Sequence, residues 1–498
     1  MMTRSGAWSR TFLFVLWSQV AWSAPPNIVL VSVDGLRADR THFGGNPRLT
    51  TPNLDALAKD GVTFTHAWSQ ANESLFSHAA IFTGRYPWEL GTPNYIRYVL
   101  PEEAITIQET LKLVGYRTGS FQAGGHIGEN FGFAQGFDHH HQAEDFGSFF
   151  HTVPQATAWL DTLRSEGDAP FFVFLHGYDC HRPYALGSIF HHAFDSAYTG
   201  PMERILRARN HTESIFNKVF YKPINYNRLW HENGHQMLDP AGYLELAENA
   251  AAGKLEKLID LDDADLHHML AHYDSGVLSA DTYVGIFLEY LGRAGLWDDT
   301  LVIVTSDHGE DLQQHGFTNH RAVLRDSTTR VPLILSGGAV PEAWRGKVVT
   351  DLTDAVDLFA TIADVAGTVP PASASGRSLW ALMEGTVDAK PKLVFQQGVL
   401  GQIAVRTGTH RLVFRGLFPL DPEYETVLMG APLDSEHFLL FDTRTDPEES
   451  KDIKASQPET LSTLVKALRG WFQGLERSDK TTQITPEQLK MLRDRGYW

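Results

Sequence analysis

The 498-residue chain has a single cysteine, Cys180. One thiol excludes any intrachain disulfide, so the fold must hold by packing. Positive charge is also short, with 42 Lys and Arg against 60 Asp and Glu and a formal charge of −18. That deficit speaks against a duplex nucleic-acid binder, which needs a cationic footprint, and means that any anion site is built locally. Long apolar runs are missing too. The N-terminal run from Thr11 to about Ala21 is well short of the roughly 20 residues that cross a bilayer, so no stable membrane span is expected. No repeat, heptad or low-complexity tract is present.

What remains is a globular composition, 43% hydrophobic and 20% charged, which can bury a substantial core. Arg4 and Arg10, the apolar run, and small residues Ala21 and Ser23 before the expected cut predict a signal peptide over residues 1–23. A secreted or periplasmic location follows as an expectation. Residues 24–392 are expected to form one catalytic domain, and 393–498 a small antiparallel-sheet subdomain with a helical tail. Within the first, 185–266 lacks clean periodicity and reads as an insertion around a binding mouth.

Apolar stretches from Ile28, Phe171 and Leu301 read as strands covered on both faces. Helical stretches such as Leu278 to Leu296 alternate with them, giving an α/β wound sheet flanked by helices. The three strands end on Asp34, on His176 to His181, and on Asp307-His308, at the sheet edge where open α/β proteins place ligands. Two carboxylates and an imidazole there suit one divalent cation. Taken alone, each Asp is more often a turn or cap residue.

Ordered motifs add to this. Asn27-Ile-Val-Leu-Val-Ser-Val-Asp-Gly-Leu-Arg-Ala-Asp39, Thr51-Pro-Asn-Leu-Asp55, and Ser74-Leu-Phe-Ser-His-Ala-Ala-Ile-Phe-Thr-Gly84 open the series. His181-Arg-Pro-Tyr184, Gly295 through Glu310 with its Thr-Ser-Asp-His-Gly core, and Asp446-Pro-Glu448 continue it. Together they resemble the sulfatase family of the alkaline-phosphatase superfamily. The resemblance implies an alkaline-phosphatase-like fold and a metal-dependent hydrolase of sulfate esters. Ser74 matches the nucleophile at a helix N-terminus, where a hydroxyl would otherwise read as a cap. Asp34, Asp307 and His308 match metal ligands. His126, His181 and His320 fall at positions that supply protons and positive charge, and His78, His176 and Arg321 are expected to touch substrate.

The departures carry information. In the family, a Cys or Ser in a CxPxR or SxPxR type motif becomes formylglycine. Here Phe76 stands for the small or proline residue and His78 for the arginine, which argues against conversion of Ser74. The family's paired Asp becomes Asp34-Gly35, so one ligand is lost. Calcium is implied by resemblance, and Zn²⁺ or Mn²⁺ become alternatives because an imidazole joins the set. The family's Lys-Trp-His becomes Gly124-Gly125-His126. Two alternatives stay open: a phosphate mono- or diester hydrolase or phosphoryl transferase using unmodified Ser74, and a non-catalytic anion- or glycan-binding protein. The expected partner is a sulfated or phosphorylated small molecule or glycan. Asn72-Glu73-Ser74 matches a glycosylation acceptor, read as chance. His139–His141 and His267-His268 are read as solvated faces.

Overall fold

The computed structural model describes residues 25–475 except 92–97, 144–145, 183, 185–187, 201, 204–205, 207–261, 316–318, 322, 387–391 and 416–421. The signal segment and most of the expected insertion lie outside the described residues. Among the described residues, no helix is long and apolar enough to cross a membrane.

The strands are β1 (Asn27–Val33), β2 (Val62–Phe64), β3 (Ala67–Trp68), β4 (Arg117–Gln122), β5 (His139–Gln142), β6 (Phe171–Gly177), β7 (Thr300–Thr305), β8 (Leu333–Ser336), β9 (Lys347–Val349), β10 (Thr353–Asp354), β11 (Val394–Gln397), β12 (Ile403–Arg406), β13 (His410–Phe414) and β14 (Phe438–Asp442). Eight of them form one sheet in the order β5-β4-β6-β1-β7-β8-β2-β9. The run from β5 to β7 is parallel, and β8 enters antiparallel to β7.

The apolar runs follow from this placement. On β1, Ile28 and Leu30 enter one core, while Val29, Val31 and Val33 enter the other. On β7, Leu301 and Ile303 divide in the same way from Val302 and Val304. Side chains alternate between faces with period two, so a strand between two helical layers must be apolar at every position.

Helices α1 (Pro52–Lys59), α2 (Ser74–Thr83), α3 (Ile107–Lys112), α4 (Phe149–Glu166) and α5 (Asp263–Arg293) cover the sheet. All ten residues of α2 are buried, and its polar side chains Ser77, His78 and Thr83 are each bonded to a backbone carbonyl. Glu73 caps its N-terminus and Gly84, at φ +64°, ends it. The expected helix from Leu278 begins earlier, at Asp263, where Asp262 and Asp265 form a reciprocal capping box. His268, read as part of a solvated face, is buried in α5 and held by Asp195 and Glu203, both at 3.0 Å.

A separate antiparallel sheet, β11-β12-β13-β14, forms the C-terminal subdomain. A final helix, α6 (Pro458–Gly474), packs on it through Leu461, Leu464, Val465, Leu468 and Phe472. Trp88, from the first unit, inserts into that core. Buried Arg411 meets Glu449 at 3.0 Å and Asp326 at 3.4 Å, binding the subdomain to the segment after the site.

Candidate active site and metal cluster

Parity on the strands decides what meets at the sheet edge. Ser32 and Asp34 share the face of Ile28 and Leu30, the face that α2 covers. The first residue of α2 is therefore brought to the end of β1. Ser74 Oγ donates to Asp34 Oδ2 at 2.9 Å and lies 3.1 Å from His308 Nε2. The helix cap is Glu73, whose carboxylate accepts the Leu75 N–H, so the Ser74 hydroxyl is not spent on capping. The positive end of the helix dipole favours an anion beside it.

The two aspartates each spend one oxygen on positioning and leave the other bare. Asp307 Oδ1 accepts the backbone N–H of Gly35 at 3.1 Å and of His308 at 2.9 Å. Its Oδ2 and Asp34 Oδ1 are buried without a hydrogen-bond partner. Gly35, at φ +70°, adopts a conformation that side-chain-bearing residues rarely take. His308 Nδ1–H donates to the Gly309 carbonyl at 2.8 Å, which leaves the Nε2 lone pair facing inward. Nε2 is 3.5 Å from Asp307 Oδ2 and 3.9 Å from Asp34 Oδ1.

Asp34, Asp307 and His308 thus offer ligand atoms within 4.8 Å of one another, all fully buried. Burial, then the charge of Asp307, pushes Asp34 well above the usual carboxylate range. Burial also acts against an ionised Asp307, but His308, His78 and His176 hold its carboxyl below the usual range. Enclosed facing carboxylates with unpartnered oxygens fit a divalent cation, which relieves their repulsion and takes the bare oxygens as ligands.

Around this centre, His320 stacks on His308 with ring centroids 4.0 Å apart, and His181 is 5.6 Å from His320. Burial drives both His181 and His320 well below the usual imidazole range, so they stand neutral before an anion arrives. Glu310 Oε2 lies 3.4 Å from His320 Nδ1. Burial raises the Glu310 carboxyl to about 8, so it holds a proton at neutral pH beside that ring. His126 reaches Glu73 at 3.2 Å, and Arg321 lies 3.4 Å from His126 and 3.9 Å from Glu73. Burial opposes charge on Glu73, yet the His126 hydrogen bond and charge hold its pKa below the ordinary value.

His78 and His176, expected among the substrate contacts, are fully enclosed beneath the nucleophile. His78 lies against Phe82, Phe133 and Phe174, and it bonds to Ser32 and to the Ser74 carbonyl. His176 has the parity of Phe172 and Phe174, which turns it toward α2. Glu73 and Glu310 were not singled out from sequence. A capping carboxylate before Ser74 was the available signal for the first, and its position in the Asp-His-Gly-Glu motif for the second. Asn72 is buried and donates to the Arg321 and Val323 carbonyls, so a glycan has no room. Cys180 is fully buried, and burial pushes its thiol well above the ordinary range.

The family model Sulfatase matches residues 26–368. The "Multifunctional alkaline phosphatase superfamily protein PehA" of Trinickia caryophylli is 25% identical over 416 residues, covering 71% of this chain and 76% of that protein. Arylsulfatase A of Homo sapiens is 25% identical over 495 residues, covering 91% and 89%. The solved structure of BT4656 in complex with its substrate D-glucosamine-2-N,6-O-disulfate superposes with a TM-score of 0.66 at 19% identity, covering 92% of this chain and 99% of that one.

Proposed function

The chain belongs to the sulfatase family, and on that premise we propose that it is a metal-dependent hydrolase of sulfate esters that uses the unmodified Ser74 hydroxyl as nucleophile. The observation that carries this reading is Ser74 Oγ held between Asp34 Oδ2 and His308 Nε2 at the start of α2. Asp34, Asp307 and His308 would hold one divalent cation. When bound, it supplies charge neutralisation and lowers the pKa of a neighbouring hydroxyl. The mixed carboxylate and imidazole set favours Mn²⁺ or Zn²⁺, with Ca²⁺ as the ion implied by family resemblance.

In this account, Asp34 Oδ2 accepts the Ser74 proton as the Oγ–S bond forms and the ester S–O bond breaks. The departing alkoxide takes a proton from one ring nitrogen of neutral His320 as the protonated Glu310 carboxyl passes its own proton to His320 Nδ1, leaving Glu310 ionised. Water then attacks sulfur and the Oγ–S bond breaks; the proton held by Asp34 returns to Oγ, one water proton passes through His320 back to Glu310, and hydrogensulfate leaves. His126, His181 and Arg321 supply cationic or hydrogen-bonding contacts to the transferred group. The sulfated sugar bound by BT4656 supports a sulfated glycan as substrate class. The apolar leader supports an exported protein.

A second reading, phosphate-ester hydrolysis by the same residues, draws on one observation. His78, where the conversion motif has arginine, is enclosed and bonded to the Ser74 carbonyl and Ser32. That arrangement supports an unconverted serine, whose phosphate ester is more readily released by water than its sulfate ester. Comparing aryl sulfate, aryl phosphate and phosphodiester turnover across added Ca²⁺, Mn²⁺ and Zn²⁺ tests the two. Sulfate turnover dominating under every metal supports the first; phosphate turnover dominating overturns it in favour of the second.

A further inference from the structure

Beneath the Asp34, Asp307 and His308 cluster lies a second group of ligating side chains. His78, His176 and Asp307 also offer atoms that all lie within 4.8 Å of one another, and each side chain is fully buried. His78 comes from α2 and His176 from β6, and their rings meet edge to face with centroids 5.2 Å apart.

The hydrogen bonding of this group is incomplete. Neither ring nitrogen of His176 has a hydrogen-bond partner, although Nε2 lies 3.6 Å from Asp34 Oδ2. The slot around it is aromatic, with Phe174 on one side and Tyr178 on the other. A phenyl ring would fill such a slot without burying polar atoms, whereas a buried nitrogen left unsatisfied opposes folding. Asp307 Oδ2 is likewise bare, 3.7 Å from His78 Nδ1. The His78 Nδ1–H donates to the Ser74 carbonyl at 2.8 Å, which leaves a lone pair on Nε2, 3.0 Å from Ser32 Oγ. His78 is thus anchored on a carbonyl through Nδ1 and takes the Ser32 hydroxyl at Nε2, a single neutral hydrogen bond that a cation at that nitrogen would displace.

We propose that His78, His176 and Asp307 form a second divalent-cation position, adjoining the first and sharing the Asp307 carboxylate with it. The proposal builds on the metal-dependent reading above. Two imidazoles and one carboxylate suit Zn²⁺, Mn²⁺ or Co²⁺, and fit poorly with the all-oxygen preference of Ca²⁺ and Mg²⁺. The second cation also gives His176 a role that its enclosed position denies it as a substrate contact.

The test is metal stoichiometry of the full chain, stripped, dialysed against Zn²⁺ and separately Mn²⁺, and measured by inductively coupled plasma mass spectrometry. Wild type is expected to hold about two equivalents, and His176→Phe, His176→Gln and His308→Ala about one each. Circular dichroism and thermal unfolding establish that each variant folds. A Co²⁺ titration followed by visible absorption gives an independent readout, with two steps in wild type and one in His176→Phe. One equivalent in wild type, lost in His308→Ala but kept in both His176 variants, overturns the second position while leaving the first intact. One equivalent lost in the His176 variants but kept in His308→Ala supports the second position and overturns the first. No bound metal overturns both.

Discussion

The Ser74 hydroxyl meets the Asp34 carboxylate across 2.9 Å, joining the first turn of α2 to the end of β1. The contact exists because residues of even number on β1 face α2, and because Glu73 takes the capping task that would otherwise occupy Ser74. Removing the hydroxyl should therefore abolish chemistry with little effect on fold. Ser74→Ala is expected to lower turnover by about 10³-fold or more while changing the unfolding midpoint little. Retained turnover in a steady-state assay rules Ser74 out as the nucleophile.

Metal removal should act on the same step. Stripping the protein with a chelator is expected to abolish turnover, and adding Mn²⁺ or Zn²⁺ to restore it. Asp307→Asn should weaken restoration, because it takes charge from the carboxylate whose Oδ2 is bare while leaving an oxygen to receive the Gly35 N–H. Full activity in a chelated sample whose metal content is measured as zero contradicts this.

The proton on Glu310 gives a leaving-group test. His320→Ala and Glu310→Gln are each expected to cut turnover of an alkyl ester by about 10²-fold, and to affect a 4-nitrophenyl ester much less, because a good leaving group needs no proton. Equal losses on both esters indicate a positioning role.

Much of this was legible in the sequence, for identifiable reasons. The apolar runs of β1, β6 and β7 each end in a polar cluster, and double-sided burial makes such runs readable. Asp34, Asp307 and His308 could be proposed from strand ends alone, whereas Ser74 needed the resemblance. His176 and His181 lie at the end of one strand and read as a pair; the period of two turns His176 toward α2 instead, and that depends on which face the helix covers. The start of α5 was hidden because its first turns are rich in Asp and His, residues that also suit a loop. The convergence of Glu73, His126 and Arg321 joins segments far apart in sequence, which no local pattern encodes.

Stability should depend on pH through His272 on α5. Burial, then the nearby His268 and His191, lowers its pKa from 6.5 to about 4, and its Nδ1–H donates to the His191 carbonyl at 3.1 Å. Between these pH values the unfolded chain binds the extra proton, so unfolding free energy should rise with pH from about 4 to 6.5 and be lost as pH falls through that window. His272→Asn keeps the donor without the titration. Urea unfolding at several pH values should show a shallower slope in the variant; identical slopes contradict the assignment.

Docking of the C-terminal sheet rests on a buried charge. Arg411→Met removes the 3.0 Å partner of enclosed Glu449, which keeps Arg406 at 3.4 Å and the Asp326 N–H, and should destabilise the protein by less than the roughly 3–5 kcal/mol of a buried charge left unpaired. The double variant with Glu449→Gln should recover part of the loss. Denaturant titration checks both, and additive losses would show that the two side chains are uncoupled.

The most direct test of the account follows the Ser74 peptide by mass during turnover. Rapid quenching with an aryl sulfate, and in parallel an aryl phosphate, should trap a gain of about 80 Da on the peptide containing Ser74, absent in Ser74→Ala. The resting peptide should carry its unmodified mass. A resting loss of about 2 Da would mean conversion to formylglycine, and a trapped group on any other residue would contradict Ser74 as the nucleophile.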